Sequence, residues 1–221
     1  MAKATRMAFI CKDDKLYFKY YTFDYFGGFA ISQKRKNISS FHNVINQDGI
    51  DNILEVSRRN ENELGVRLSA FNLIITLDNI QYPVECLYQS SKVFGNIRYE
   101  ECKNMKPYEA KKFIKEKVDK DKLALSHFDF NNKIFPLDPK SLFYDYLYIY
   151  ALNQNQDLAI KILDFDCYTD IEFNHCKQFA SQARSCALYK YLYNNKLIDS
   201  FLNNPIQHKK LYISLQENTL I

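Results

Sequence analysis

The stretch richest in chemically useful side chains is Tyr82-Pro83-Val84-Glu85-Cys86-Leu87-Tyr88-Gln89-Ser90-Ser91-Lys92-Val93-Phe94. Proline is tolerated at the first position of a helix, where the missing N–H has no intrahelical partner in any case. On a helix opened by Pro83, Glu85, Gln89 and Lys92 fall at i, i+4 and i+7. Seven residues at roughly 100° each bring Lys92 back within about 20° of Glu85, and helical side chains lean toward the N-terminus. The spacing predicts a stripe of carboxylate, amide and amine, with Leu87, Val93 and Phe94 left to bury other faces. A lysine that sheds its charge is a nucleophile, and a carboxyl beside it can carry a proton. A solvated helix face has the same look, because a first-turn Glu answers the helix dipole and Glu, Gln and Lys pair well along a helix. Spacing alone does not choose between the two.

The elements around this stripe follow from the hydrophobic pattern. Residues 6–11 and 15–26 alternate as two strands rich in Phe, Tyr and Ile, joined by the polar turn Lys12-Asp13-Asp14-Lys15. After Gly27-Gly28 comes the basic run Ser32-Gln33-Lys34-Arg35-Lys36-Asn37, and then a helix over about 41–58 with Ile50, Ile53 and Leu54 on one face. Residues 66–77 read as short extended or irregular pieces. Beyond Pro83 the chain turns helical, with helices at about 83–94, 107–118, 139–153, 155–164, 177–194 and 196–203; Pro83, Pro107 and Pro139 mark three of the starts. No repeat or Pro/Gly-rich linker divides the chain. The expectation is a single α+β domain, mostly helical, with a small N-terminal β-sheet.

Composition narrows the chemistry. Only five glycines occur in 221 residues, and neither a P-loop nor a dinucleotide-binding glycine motif is present. There is no G-x-S-x-G elbow and no H-E-x-x-H pair. His42, His127, His175 and His208 are scattered, and His175-Cys176 with Cys186 matches no zinc spacing, so no metal and no cofactor is expected. The six cysteines form no C-x-x-C pair, which suits free thiols in a cytoplasmic protein. The longest apolar run, Leu73-Ile74-Ile75-Thr76-Leu77, is too short to span a bilayer, so no membrane partner is expected. A net charge of +4 is too small for a protein that coats nucleic acid, yet it is compatible with a polyanionic substrate met at one face.

Further motifs flank the stripe. Gly65-Val66-Arg67-Leu68-Ser69-Ala70-Phe71-Asn72-Leu73 precedes it. Pro136-Leu137-Asp138-Pro139-Lys140, Tyr150-Ala151-Leu152-Asn153-Gln154-Asn155, Thr169-Asp170-Ile171-Glu172-Phe173-Asn174 and Gln182-Ala183-Arg184-Ser185 follow it in that order. In this series the chain resembles the NADAR family, in its branch associated with DarT-type toxins, over residues 65–188; the Ser32-Gln33-Lys34 segment fits that branch too. Ser90-Ser91-Lys92 stands where the family has Gly-Ser-Lys, Phe135-Pro136 stands where it has Trp-Pro, and residues 95–106 lack its glycine-rich turn.

The resemblance implies an N-glycosidase with a NADAR/YbiA-like fold, in which residues 1–60 are the branch's N-terminal strands and helix and 61–205 the family core. The toxin-associated members release ADP-ribose from guanine bases of DNA, which implies ADP-ribosylated DNA as substrate and possible contact with a cognate DarT-type toxin. On that pattern Lys92 is the nucleophile that forms a Schiff base with the anomeric carbon, and Glu85 shuttles the proton. Asp170 or Glu172 steadies the ribose hydroxyls or shares the acid–base work. Ser69, Asn72 and Gln89 line the ligand site, and Arg184 and Lys34 are candidates for pyrophosphate or the DNA backbone, Arg being suited to bidentate phosphate contacts. A small-molecule N-glycosidase of the YbiA type is the competing enzyme reading, set against by the N-terminal 6–60 segment. A non-catalytic toxin- or DNA-binding module is the other, set against by the co-occurrence of Glu85, Lys92, Asp170 and Glu172.

Overall fold

A computed structural model describes residues 2–216. The chain opens with an antiparallel hairpin of β1 (Ala2–Lys12) and β2 (Lys15–Tyr25), in register from Ala2 opposite Tyr25 to Lys12 opposite Lys15. Its two-residue turn places Asp13 and Asp14 in the left-handed region at φ 51° and 56°, the conformation that matches the twist of hairpin strands and that Asp and Asn tolerate best after glycine. Then come α1 (Ile31–Gln47), β3 (Ile53–Glu55), α2 (Glu63–Arg67), β4 (Ile74–Leu77) and β5 (Ile80–Pro83). The pair β4–β5 turns through Asp78-Asn79 by the same left-handed device.

Next are α3 (Val84–Ser90), β6 (Lys92–Phe94), β7 (Ile97–Arg98), a 3₁₀ turn (Glu100–Asn104) and α4 (Pro107–Asp121). The strands β8 (His127–Phe130) and β9 (Lys133–Phe135) are joined by a third left-handed pair, Asn131-Asn132. The rest is α5 (Leu142–Gln154), α6 (Gln156–Ile162), β10 (Cys167–Thr169), α7 (Gln182–Asn194), α8 (Ile198–Asn203), a second 3₁₀ turn (Pro205–His208) and α9 (Lys209–Gln216).

The N-terminal sheet has the order β2-β1-β10-β3. The late strand β10 enters its centre, antiparallel to β1 (Ala8 opposite Thr169) and parallel to β3 (Thr169 opposite Glu55). Alternation along β1 sends Ala8 and Ile10 to one face, against Phe41 and Ile45 of α1, and Phe9 and Cys11 to the other, against the main core. At the centre of that core lies α5, where Leu142 through Ile149 are all buried, as expected of a helix surrounded by protein on every side. Its Phe143 stacks on Phe128 of β8 with centroids 4.5 Å apart, and Tyr88 of α3 stacks on Phe128 at 5.5 Å.

The α+β architecture with an N-terminal sheet is as expected, but three local expectations fail. The first long helix is Ile31–Gln47, not about 41–58. Ile38, Phe41 and Ile45, at i, i+3 and i+7, are the face that the sheet buries, so the basic run Ser32–Asn37 lies inside the helix. Gly49, at φ 82°, follows its end, and Ile53 and Leu54 continue as strand. The helix expected over 83–94 stops at Ser90, because Lys92–Phe94 pairs with β8 (Lys92 opposite Phe128) and folds back onto β7 through Gly95 at φ 62°. The last long helix begins at Gln182 rather than near 177, with the Ser181 side chain accepting from the Arg184 N–H at its N-terminus.

Candidate functional site

A cleft of about 880 Å³ lies where α3, the Ser69–Phe71 turn and the segment after β10 converge. The backbone sets this convergence. The Glu85 N–H donates to the Ala70 carbonyl at 2.8 Å and the Val84 N–H to the Leu73 carbonyl at 2.9 Å, tying the start of α3 to the turn. Gln182 at the head of α7 accepts from the Ala70 N–H at 2.9 Å and donates to the Val56 carbonyl, clamping the turn to the end of β3. Gly65 lies so close under this region that a Cβ there would meet the Glu55 carbonyl oxygen at 2.1 Å.

Glu85, Gln89 and Lys92 are brought together, though not as a helical stripe. Lys92 Nζ donates to Gln89 Oε1 at 2.8 Å, and Gln89 Nε2 donates to Glu85 Oε1 at 2.8 Å. Lys92 reaches this chain from the first residue of β6, and its ammonium lies 4.8 Å from the centroid of the Tyr88 ring. Burial pushes the Lys92 amine down to about 8; Glu85 opposes that fall and Lys111 of α4 adds to it. An amine near that value is partly neutral close to neutral pH, as an attacking lysine must be.

A second acid comes from β10 and the turn behind it. Asp170 and Glu172 both line the cleft, but their environments differ. Asp170 is buried, while Glu172 is half-exposed and bridges to Arg59 at 3.2 Å. Burial raises the Asp170 carboxyl well above the usual carboxylate range, and the carboxyl of Glu55 raises it further. Glu55 is itself buried and raised, although it accepts from the Thr169 hydroxyl at 2.7 Å and the Ile171 N–H at 2.9 Å. Two carboxyls that share a dry environment cannot both ionise cheaply, so the Asp170 carboxyl holds its proton to higher pH than an exposed aspartate does.

Ser69 also lines the cleft, buried at its margin. The other candidate binding residues lie elsewhere. Asn72 points away and donates to the Val66 carbonyl at 2.8 Å, holding its own turn. Arg184 is ion-paired at 2.8 Å with the fully buried Asp145 and lines a smaller, adjoining cavity. Lys34 sits on α1, against the face of the N-terminal sheet opposite the main core, and does not line the cleft. The cations that do line it are Arg58, Lys92, Lys111, Lys140 and Lys177, with Arg58 stacked 4.1 Å over the Phe71 ring.

Sequence reasoning missed Arg58, Lys111, Tyr144 and Glu55. For Glu55 a signal existed, since a lone acid in Ile53-Leu54-Glu55-Val56 is a charge inside an apolar run. For Arg58 and Lys111 there was none, because both come from segments whose pattern is that of a solvated surface. Among the described residues no group of three His, Cys, Asp or Glu is placed to hold a metal ion. Nor is any helix of the described residues long and apolar enough to cross a membrane.

The family model of DarT1-associated NADAR antitoxins matches residues 4–219. The chain belongs to the NADAR-DarT1 family. The match runs through the N-terminal hairpin and α1 as well as the segments that form the cleft. No curated protein matches the chain. The NADAR family is generally N-glycosidase-like.

Proposed function

We propose that the cleft removes ADP-ribose from guanine bases of DNA, reversing the modification made by a DarT1-type toxin and so acting as its antitoxin. The observation that carries this reading is the buried Lys92 amine, lowered to about 8 and linked through Gln89 to Glu85 inside a cleft of about 880 Å³. That volume falls in the roughly 300–1,000 Å³ range of pockets for ligands of this size.

The substrate carries its sugar through a C–N bond at the anomeric carbon. Opening of the ribose ring turns that carbon into an imine, to which the neutral Lys92 amine adds. The C–N bond to the base then breaks; the base nitrogen leaves with a proton from the raised Asp170 carboxyl, and Lys92 keeps the sugar as a protonated Schiff base. Water, deprotonated by the Glu85 carboxylate, adds to the Schiff base carbon and releases ADP-ribose, restoring the neutral amine. Glu85 then passes the proton it took from water back to Asp170, so each group ends as it began. Arg58, Lys111, Lys140 and Lys177 face the pyrophosphate and the DNA backbone.

The test is to incubate the protein with a guanine-ADP-ribosylated oligonucleotide and follow free ADP-ribose, with borohydride added during turnover to reduce the Schiff base. Release of ADP-ribose, with a sugar adduct mapped to Lys92, is the expected result. If phosphates are contacted, KM rises steeply with salt. Absence of release from modified DNA would refute the assignment. Release without an adduct would refute only the covalent route.

A further inference from the structure

A second cavity, of about 210 Å³, adjoins the cleft; Lys140, Phe173, Gln178 and Phe179 line both. Its remaining walls are largely aromatic and come from the N-terminal hairpin and the segment after β10. Tyr20 packs edge-on against His175 with centroids 5.0 Å apart and against Phe18 at 5.5 Å. At the junction with the cleft, Lys140 Nζ lies 4.1 Å over the Phe179 ring.

Two features show that this cavity is set for a polar, flat ligand. Arg184 is held by Asp145, yet its Nε is buried with no hydrogen-bond partner among the described residues, and the same is true of His175 Nδ1. Buried polar atoms are almost always paired, so orphans on residues lining one small aromatic cavity mark missing partners. Among the described residues no carboxylate lines the cavity, whereas Arg184 and Lys140 do, which suits a ligand attached to phosphate. The volume is below the range for a whole drug-sized ligand, and the cleft alone is large enough for an ADP-ribosyl group.

We propose that this cavity seats the nucleobase flanking the modified guanosine, with Lys140 at the junction meeting the phosphate between them. The inference rests on the proposed action on ADP-ribosylated DNA. With the exocyclic nitrogen of the modified guanine held at Lys92 and Glu85, the next base of the strand is what reaches a neighbouring cavity. That base stacks on Tyr20 and Phe179 and offers its edge to Arg184 and His175. Aromatic platforms of this kind bind any base, because each has a π face. The strand must be single or locally opened to present it.

The test uses an unmodified single-stranded oligonucleotide with 2-aminopurine next to a central guanine, so that binding is read without turnover. Stacking in the cavity quenches its fluorescence. Tyr20 is half-exposed and, like His175, absent from the cleft lining, so the Tyr20→Ala/His175→Ala variant leaves the catalytic groups in place. We expect the quench to be lost and the affinity to fall roughly 10-fold, within the range measured for base–aromatic stacking. In turnover, kcat/KM should fall similarly on a modified oligonucleotide but stay unchanged on ADP-ribosylated guanosine monophosphate, which has no flanking base. No quench in the parent protein, or a quench that survives in the variant, overturns the proposal. An equal loss on both substrates also overturns it, by giving the cavity to the ADP-ribosyl group or the leaving base. If the parent protein releases ADP-ribose from neither substrate, the functional reading fails, while the fluorescence result still decides whether the cavity takes a base.

Discussion

The ionisation of Lys92 can be moved in either direction by single substitutions, and the direction is fixed by the structure. At about 8, about 9% of the amine is neutral at pH 7, against about 0.04% for an unperturbed lysine at roughly 10.4, a gain of roughly 200-fold. The rate of ADP-ribose release therefore rises about tenfold per pH unit through the acid range and levels off near 8. Glu85 is the main group opposing the fall, since its charge favours the ammonium. In Glu85→Gln the amide oxygen still accepts from Gln89 Nε2, but that charge is gone. The midpoint then moves to lower pH, while the plateau drops by about 10²–10⁴ for want of a proton carrier. Lys111 acts in the other sense on Lys92, so Lys111→Ala moves the midpoint up. Single-turnover release from a modified oligonucleotide, measured from about pH 5.5 to 9.5 at constant ionic strength, reads both. A midpoint that stays in place in both variants, or shifts upward in Glu85→Gln, refutes the assignment of the titrating group to Lys92.

Lys92→Arg should reduce release below detection and give no borohydride adduct, because a guanidinium stays protonated and cannot attack; an active variant would falsify the covalent route. Asp170→Asn keeps the oxygen that accepts from the Glu172 N–H at 3.0 Å but cannot ionise. The raised carboxyl makes the folded parent bind more protons than the unfolded chain, so parent stability falls as pH rises above the usual carboxylate range. The variant should therefore gain in Tm over the parent with increasing pH, while losing activity; a constant Tm difference from pH 4 to 7 argues that Asp170 ionises normally. Gly65→Ala should lower Tm by about 2–12 °C, because its Cβ would collide with the Glu55 carbonyl and Asn60 Nδ2, and overpacking costs about 1–3 kcal/mol. An unchanged thermal melt would show that this turn yields.

What was legible in the sequence was what local rules determine. The β1–β2 hairpin could be read from alternation and Asp13-Asp14, and Asp78-Asn79 and Asn131-Asn132 carried the same turn chemistry without being noticed. The grouping of Glu85, Gln89 and Lys92 could be read as well, but for an incomplete reason. Helical spacing places only Glu85 and Gln89; Lys92 joins them because β8 captures the chain at Lys92 and Val93. Strand capture of this kind depends on a partner more than thirty residues away, and no periodicity within 83–94 encodes it. The same holds for residues 50–58, where Ile53–Glu55 becomes a strand only because β10 arrives from residues 167–169 to pair with it. Arg184 differs again: its residue type suits phosphate, and the fully buried Asp145 of α5, 39 residues earlier in the chain, holds one side of its guanidinium.

The position of β10 also binds the N-terminal segment to the proposed chemistry. Asp170 follows immediately on Thr169, whose hydroxyl is shared between His42 of α1 at 2.8 Å and Glu55 of β3 at 2.7 Å. The strand that delivers Asp170 is paired on one side with β1 and on the other with β3. Every partner that fixes its register thus comes from the first 55 residues. Burial is the main cause of the raised Asp170 carboxyl, and those partners add to it, since Glu55 keeps a second carboxyl within reach. Lys92 draws its lowered value from the other half, through burial under α3 and α4 with Lys111 nearby. A raised carboxyl from one half and a lowered amine from the other thus line a single cleft. Pairing of β1, β3 and β10 is therefore a condition for the site and not an addition to it.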